Sequence, residues 1–316
     1  MKKQNLLLTL LMFTLTSCNT NNPDISNLSI VCPAGAPAVA FYAYANDANF
    51  ETNSVPSNIV SMMNSKNGKD IIVIDSVTGI KAINNGAEYK LAANITFGNF
   101  FLASTGNDDN DQLDADDNII LFGQNQTADF IFDLVYGKDN YNNIEFVTAA
   151  NDAAACLASG RNVATGTIAD YVFLAQPALY AQLHNQNAAT YGKSSVYQNI
   201  QDLYYEATDG KEMIQASIFV KNSLSKDVVN AFLDKISSDI NNVITDTSVI
   251  DQYVSDPAAS EMVSKYGVNL NVAKAVINDN NSLGLGFKKA IDNKTNIDTF
   301  ISLFGMSATD EEIYFK

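Results

Sequence analysis

The sequence has few of the side chains on which most catalytic and nucleic-acid-binding sites depend. Its 316 residues include no Trp, one His (His184) and one Arg (Arg161). A single His excludes most zinc sites and most histidine-dependent catalysis. The net charge of -16 argues against nucleic acid or an anionic membrane surface as a partner, because both attract clustered cations. We expect no metal site and no cofactor.

The N-terminus has the organisation of a secretory leader. Lys2 and Lys3 precede an apolar run, residues 5–16, that is shorter than the roughly 20 residues of a membrane span. The run ends at "LTSC", which resembles the lipobox of bacterial lipoproteins, where the Cys is lipidated and becomes the first mature residue. We predict a signal peptide over residues 1–17, lipidation at Cys18 and a polar tether over residues 18–27. A transmembrane anchor or a simple secretory peptide is the alternative.

Lipidation would hold the protein outside the cytoplasm, in the periplasm or on the cell surface, with the lipid bilayer as its anchor. The two remaining cysteines, Cys32 and Cys156, would then lie in a compartment that permits disulfides. We expect two partly buried free thiols, and a single disulfide between them is the alternative, because spacing alone does not show that two cysteines meet.

Beyond the tether, short apolar segments alternate with helical patterns of about ten residues. "DIIVID" (70–75) predicts a buried strand, and residues 76–86 predict a helix capped by Ser76 or Thr78. The same strand, turn and helix pattern recurs at 118–137, 143–160 and 169–183, and residues 225–316 are mainly helical. This alternation indicates an α/β fold of mainly parallel sheets with flanking helices.

The turns between these strands and helices are short and polar or contain Gly and Pro. In open α/β sheets, the carboxyl ends of the strands and the N-termini of the helices meet at one rim, where ligands bind. The loop "CPAGAP" (32–37) has the composition of a rim loop, and Pro37 suits the first turn of a helix. The sequence therefore predicts a binding site built from several such loops.

Seven segments, taken in order after the lipobox, carry a resemblance to a known family. They are "VCPAGAPAVAFY", "DIIVIDSVTGIKAINNG", "YKLAANITFGNFFLAST", "ILFGQ", "EFVTAANDAAACLASGR", "ADYVFLAQPAL" and "QASIFVKNSL". Together they resemble an extracytoplasmic solute-binding lipoprotein of an ABC importer, of the two-lobed type that includes nitrate, sulfonate, taurine and thiamine-pyrimidine binders. The resemblance covers residues 1–225 and extends to the helical tail.

The resemblance implies a type II-like periplasmic-binding-protein fold of two α/β lobes joined by two crossing segments. Residues 28–101 and 222–316 would form lobe 1 and residues 102–221 lobe 2, with "GNFFLAST" as the first crossing and the stretch after "IFVKNSL" as the second. It also implies a non-enzymatic role. A small molecule would be trapped between the lobes by hinge closure and delivered to an ABC permease.

Opposed rim loops supply the candidate ligand-binding residues. Helix N-termini present main-chain N–H groups that hold a polar ligand without charged side chains. The candidates are Gly35, Ala36, Pro37, Ser76, Val77, Thr78, Thr96, Phe97 and Asn99 from lobe 1, with Gln124, Asn151, Asp152 and Gln176 from lobe 2. The small residues permit close backbone approach, Phe97 would form an apolar or stacking wall, and the amides would orient the ligand.

Each candidate has a structural alternative, which is helix capping for the Ser, Thr, Asn and Asp residues and core packing for Phe97. The candidate loops contain no Lys or Arg, which favours a neutral or modestly charged solute, including a heterocycle. The Asp-rich segment 107–118 lacks the Gly and Glu that an EF-hand loop requires, so we interpret it as a solvated loop.

Two other functions fit the same sequence. One is a surface lipoprotein that keeps the fold but acts as an adhesin or interaction protein. The other is a pyrimidine-related enzyme, in which Asp75 and Asp152 would form a carboxylate pair. The single histidine, His184, lies in "YAQLHNQN", outside every predicted rim loop, which disfavours the enzyme.

Overall fold

The computed structural model describes residues 23–53, 55–108, 110, 112–254 and 265–316. The predicted signal peptide, Cys18 and the first part of the tether lie outside these residues, as do residues 255–264 of the segment predicted to be mainly helical. In the part that is described, we find no helix with the length and apolar content needed to cross a membrane.

Two β-sheets organise the described chain. The strands of the first sheet are β1 (Ile30–Pro33), β2 (Phe50–Asn53), β3 (Ile71–Asp75), β4 (Tyr89–Thr96), β10 (Ala216–Lys221) and β11 (Leu285–Lys289). Those of the second sheet are β5 (Phe100–Ser104), β6 (Asn118–Phe122), β7 (Asn143–Val147), β8 (Tyr171–Ala175) and β9 (Ser195–Asn199). The first sheet has the order β11-β4-β10-β3-β1-β2, and the second has the order β7-β6-β8-β5-β9.

Both sheets are mixed, which differs from the mainly parallel sheets expected. Strands β1, β2 and β3 pair in parallel, as do β6, β7 and β8. By contrast, β10 is antiparallel to β3 and β4, and β5 is antiparallel to β8 and β9. The antiparallel strands β5 and β10 are the ones that the chain enters on crossing from one sheet to the other.

The helices pack on the faces of the sheets. They are α1 (Ala36–Val39), α2 (Pro56–Met63), α3 (Ser76–Asn84), α4 (Thr127–Tyr136), α5 (Ala150–Ser159), α6 (Ala178–Leu183), α7 (Ile200–Ala207), α8 (Lys226–Thr245), α9 (Asp251–Val254), α10 (Leu270–Asn278) and α11 (Lys294–Ser302). Short 3-10 turns lie at Tyr42–Tyr44, Lys138–Asn140, Thr247–Ile250, Ile291–Asn293 and Glu311–Ile313.

The lobe boundaries differ from the sequence-based division at both crossings. The first crossing joins β4 to β5 through residues 97–99, so Phe100 and Phe101 already pair within the second sheet. The second crossing precedes β10 rather than following it, because β10 inserts between β3 and β4 of the first sheet. A lone sequence pattern cannot reveal this insertion, since the two partners of β10 are more than a hundred residues away in the chain.

One apolar cluster extends from one sheet to the other. It includes Ile72 and Ile74 of β3 and Leu121 of β6, all of them at most 1% exposed. The C-terminal tail adds an aromatic contact, in which the ring centroids of Phe130 on α4 and Phe304 lie 4.9 Å apart. The two sheets therefore share buried apolar surface as well as two crossings.

The two described cysteines are free thiols, as the sequence led us to expect, but they are fully rather than partly buried. Cys32 lies in the first sheet and Cys156 in α5, which packs on the second sheet. Burial raises the pKa of both thiols.

Candidate ligand-binding cleft

A cleft of about 870 Å³ lies between the two sheets. Its walls are the loops at the carboxyl ends of β1, β3, β6, β7 and β8, together with both crossings and the chain before α10. This size lies within the range of small-molecule sites in proteins. The rims that the strand pattern predicted thus meet across one cavity.

Many of the predicted site residues line this cleft. They are Gly35, Ala36, Pro37, Thr78, Thr96, Asn99, Asn151 and Gln176. The loop expected between β1 and a helix is present, with Gly35 as the N-cap of α1 and a Pro in its first turn. Gly35 is held in place because its N–H donates to the carbonyl of Tyr266 over 2.8 Å.

Two predicted residues of α3 face the core instead. Ser76 is 0% exposed, and its hydroxyl lies 2.6 Å from that of Ser217 on β10. Val77 belongs to the apolar cluster shared by the two sheets. Because α3 begins directly after β3, its first turn packs against the sheet, and only Thr78 reaches the cleft. The N-cap of α3 is Asp75, not Ser76 or Thr78.

Three further predicted residues lie outside the lining. The ring of Phe97 packs beside Gly286 of β11, with the Lys288 ammonium 5.5 Å from its centroid. Gln124 is exposed on the loop before α4. Asp152 is the third residue of α5, and its carboxylate accepts from the N–H of Ala149 over 3.0 Å.

The aromatic wall of the cleft is formed by residues that the sequence did not single out. Phe100 begins β5 and Phe122 ends β6, and their ring centroids are 6.0 Å apart. The sequence signal that could have identified both residues as cleft residues is their position at the ends of strands. Gly267, Val268 and Asn269 also line the cleft, and nothing near them in sequence indicated this contact with distant loops.

Among the described residues that line the cleft, Asp75 is the one with an ionisable side chain. It ends β3 and accepts from the N–H of Thr78 through Oδ1 over 2.9 Å. Its other oxygen accepts from the hydroxyl of Thr127, at the start of α4, over 3.3 Å. Burial raises the pKa of the Asp75 carboxyl, and these hydrogen bonds oppose the rise only in part. The Asp75–Thr127 contact joins elements of the two sheets.

A side-chain amide network ties the two crossings together. Asn99 donates from Nδ2 to the carbonyl of Gln176 over 2.9 Å and accepts at Oδ1 from Nε2 of Gln215 over 3.0 Å. Gln215, which directly precedes β10, accepts at Oε1 from the N–H of Gly98 over 3.1 Å. Asn99 and Gln176 are each 6% exposed, so this network lies at the buried base of the cleft.

The side chains that the sequence offered for catalysis, His184 and the pair Asp75 and Asp152, do not meet in the cleft. Within residues 23–316, leaving aside the undescribed gaps, no group of three His, Cys, Asp or Glu side chains could hold a metal ion. His184 directly follows α6, is exposed, and stacks on Tyr180 at a centroid distance of 3.9 Å. Asp75 lines the cleft but Asp152 does not, so the cleft holds no carboxylate pair made of these two residues.

Solved structures with a similar arrangement of sheets and helices identify the fold of this chain. A structure described as an ABC transporter from Parabacteroides distasonis has a TM-score of 0.70 at 14% identity, covering 92% of this chain and 98% of that one. The periplasmic aliphatic sulphonate binding protein SsuA from Escherichia coli has a TM-score of 0.61 at 11% identity, covering 92% and 91%. The chain has the periplasmic binding protein fold. The type predicted from the sequence is therefore confirmed at the level of the fold.

A third structure with this binding-protein fold is the alkanesulfonate-binding protein SsuA from Xanthomonas axonopodis, bound to MOPS. Its TM-score is 0.55 at 11% identity, and the match covers 88% of this chain and 92% of that one. No family model matches the sequence, and no curated protein matches it.

Proposed function

We propose that this protein is the solute-binding component of an ABC importer and captures a small molecule in the cleft between its two lobes. The observation that carries the proposal is the cleft itself. It is lined from both sheets and both crossings, so that a bound molecule would contact each lobe. A ligand that contacts both lobes stabilises the arrangement in which they are close, and capture is thereby coupled to closure.

The further steps of the proposal follow from the sequence. Cys18 would carry the lipid, the tether over residues 18–27 would hold the lobes near the outer face of a membrane, and the closed form would deliver its solute to a permease. Intact-mass and peptide mass spectrometry of protein purified from membranes test the anchor. We expect Cys18 as the modified first residue and release of a Cys18→Ser variant from the membrane.

Binding is tested first by native mass spectrometry of the mature protein, which should reveal a co-purified small molecule. Adding the released molecule back to stripped protein should raise the free energy of unfolding by about 2.7 kcal/mol at a hundredfold excess over Kd. It should also reduce the radius of gyration in solution scattering. An unchanged scattering profile at saturation would contradict closure. Binding of a macromolecule but of no small molecule would favour the adhesin.

A further inference from the structure

Among its described residues, the cleft contains a carboxyl group and no positively charged side chain, the reverse of what is usual in an anion-binding site. Asp75 lines it, and among the described lining residues there is no Lys, Arg or His. The whole chain adds a net charge of -16. A carboxylate removed from water needs a compensating cation or a full set of hydrogen bonds. An anionic ligand would instead bring a second negative charge into the same cavity.

At four helices beside the cleft, α3, α5, α6 and α10, a side chain of the protein itself accepts from an N–H group at or near the helix N-terminus, whereas α1 has no such side-chain cap. The carboxylate of Asp75 accepts from the N–H of Thr78 in the first turn of α3, and that of Asp152 accepts from the N–H of Ala149, the residue before α5. Gln176 Oε1 accepts from the N–H of Tyr180 in α6 over 3.0 Å, and Asn269 Oδ1 accepts from the N–H of Asn271 in α10 over 2.9 Å. Part of the hydrogen-bonding capacity that helix N-termini could offer an anion is thus already used by the protein itself.

The start of α4 points to the same conclusion. Thr127, its first residue, donates its hydroxyl to Asp75. Asp129, in the same turn, is 2% exposed, accepts from the N–H of Asn125 over 2.8 Å and pairs with Lys138 over 2.6 Å. Two carboxylates therefore lie near the positive end of this helix, and that of Asp129 is also paired with Lys138.

At the base of the cleft, Gln176 offers donors rather than charge. Its oxygen is used by Tyr180, whereas its amide nitrogen has no hydrogen-bond partner among the residues that the structure describes. The cleft thus presents an acceptor with a negative charge at Asp75 and a neutral donor at Gln176, beside the apolar wall of Phe100 and Phe122.

We propose that the cleft takes a small organic cation, an amine or amidinium compound whose N–H groups meet the Asp75 carboxylate, and that it rejects sulfonates, phosphonates and carboxylates of the same size. This inference rests on the proposed solute-binding function. A neutral oxygen or ring nitrogen elsewhere in the same molecule accepts from Gln176. Sulfonate binding, which is named for the Escherichia coli and Xanthomonas axonopodis proteins, is not a property of this cleft.

The test uses charge-matched probes with the mature protein. Each set contains a cation, a neutral isostere and anions, for example benzamidine, benzamide, benzoate and benzenesulfonate, and is extended to aliphatic amines and guanidines. Isothermal titration and thermal unfolding give the affinities. We expect cations to bind at least about tenfold more tightly than their isosteres, which is the size of one charge-assisted hydrogen bond.

Two substitutions test whether Asp75 is responsible for the preference for cations. Asp75→Asn keeps the size of the side chain and an oxygen that can cap α3, but removes the charge, and we expect the tenfold preference for cations to disappear. Asp152→Asn makes the same change at a capping carboxylate outside the cleft lining and should leave the preference within about twofold. Circular dichroism verifies that both variants are folded.

Each outcome decides the proposal. It is overturned if an anion binds as tightly as its cationic isostere, if no cation in the panel binds, or if the two Asp variants behave alike. Compaction of the protein by an anionic solute would refute the charge preference while leaving the receptor function intact. Failure to detect any bound small molecule, including a co-purified one, would refute the receptor function itself.

Discussion

Asn99→Ala is expected to loosen the two lobes, because its side chain connects both crossings. The Asn99 amide bonds to the carbonyl of Gln176 and to the side chain of Gln215, over 2.9 and 3.0 Å. The substitution leaves one buried acceptor, the carbonyl of Gln176, and one partly buried donor, the side-chain amide of Gln215, without partners. An unsatisfied buried group costs about 1–3 kcal/mol, so we expect a loss of about 2–4 kcal/mol in the free energy of unfolding after partial relaxation.

Asn94→Ala is the matched control. Asn94 is 0% exposed on β4, donates to Ser217 over 2.8 Å and accepts from Asn293 over 2.9 Å. It therefore also makes two side-chain hydrogen bonds, but all of its partners lie in the first lobe or pack on its sheet. We expect a comparable loss of stability from this variant and no change in how the lobes move.

Three measurements separate the two variants. Urea denaturation gives the loss of stability, solution scattering gives the radius of gyration without ligand, and hydrogen exchange gives the protection of the Gly98 and Gln215 amides. Asn99→Ala should expand the unliganded protein and expose these amides, whereas Asn94→Ala should not. If both variants expand equally, or if Asn99→Ala costs less than about 1 kcal/mol, the amide network does not hold the crossings together.

Three further substitutions or treatments have defined outcomes. Gly98→Ala should cost more than Gly86→Ala. Both have positive φ, which costs about 1–2 kcal/mol for Ala. A Cβ at Gly98 also overlaps the terminal amide of Gln201, a flexible group that has to shift, whereas Gly86 has nothing within 4 Å, so we expect a small additional cost at Gly98; urea denaturation of both variants tests this. Without ligand, Asp75→Asn should melt at a higher temperature than the parent at pH 7. Burial raises the pKa of Asp75 in the folded protein, so stability is lost as pH rises through that pKa, and the advantage should vanish below the ordinary value of 3.8. Cys32 and Cys156 should react with a thiol reagent only after denaturation, and a rapid reaction of either in the native protein would contradict their burial.

The strands and the rims could be predicted from sequence because their signals are local. The apolar run of β3 is bounded by polar residues, and Gly98 lies between β4 and β5. The rule that ligands bind at the carboxyl ends of strands then sufficed to place Thr78 and Gln176 on the cleft.

The remaining features of the site depend on the orientation of side chains and on contacts between residues far apart in the sequence. Ser76 and Thr78 are two residues apart on one helix, and only packing against β10 decides which of them faces the core. Asn269 reaches the cleft through a tertiary contact that no nearby pattern encodes. Helix capping, the structural alternative for Asp152, is the interaction that the structure shows. Capping is local and needs no tertiary partner, so the sequence alone can suggest it.

The insertion of β10 between β3 and β4 affects how the protein is made. Until residues 216–221 have been synthesised, β3 lacks a neighbour on one side and β4 lacks a neighbour on both sides, and β4 gains its second neighbour only when β11 follows. The second sheet, whose strands all lie between residues 100 and 199, is complete before then. The lobe that contains the first sheet therefore finishes folding last. Its strand edges, exposed during synthesis, are where a nascent chain of this protein is most prone to aggregate.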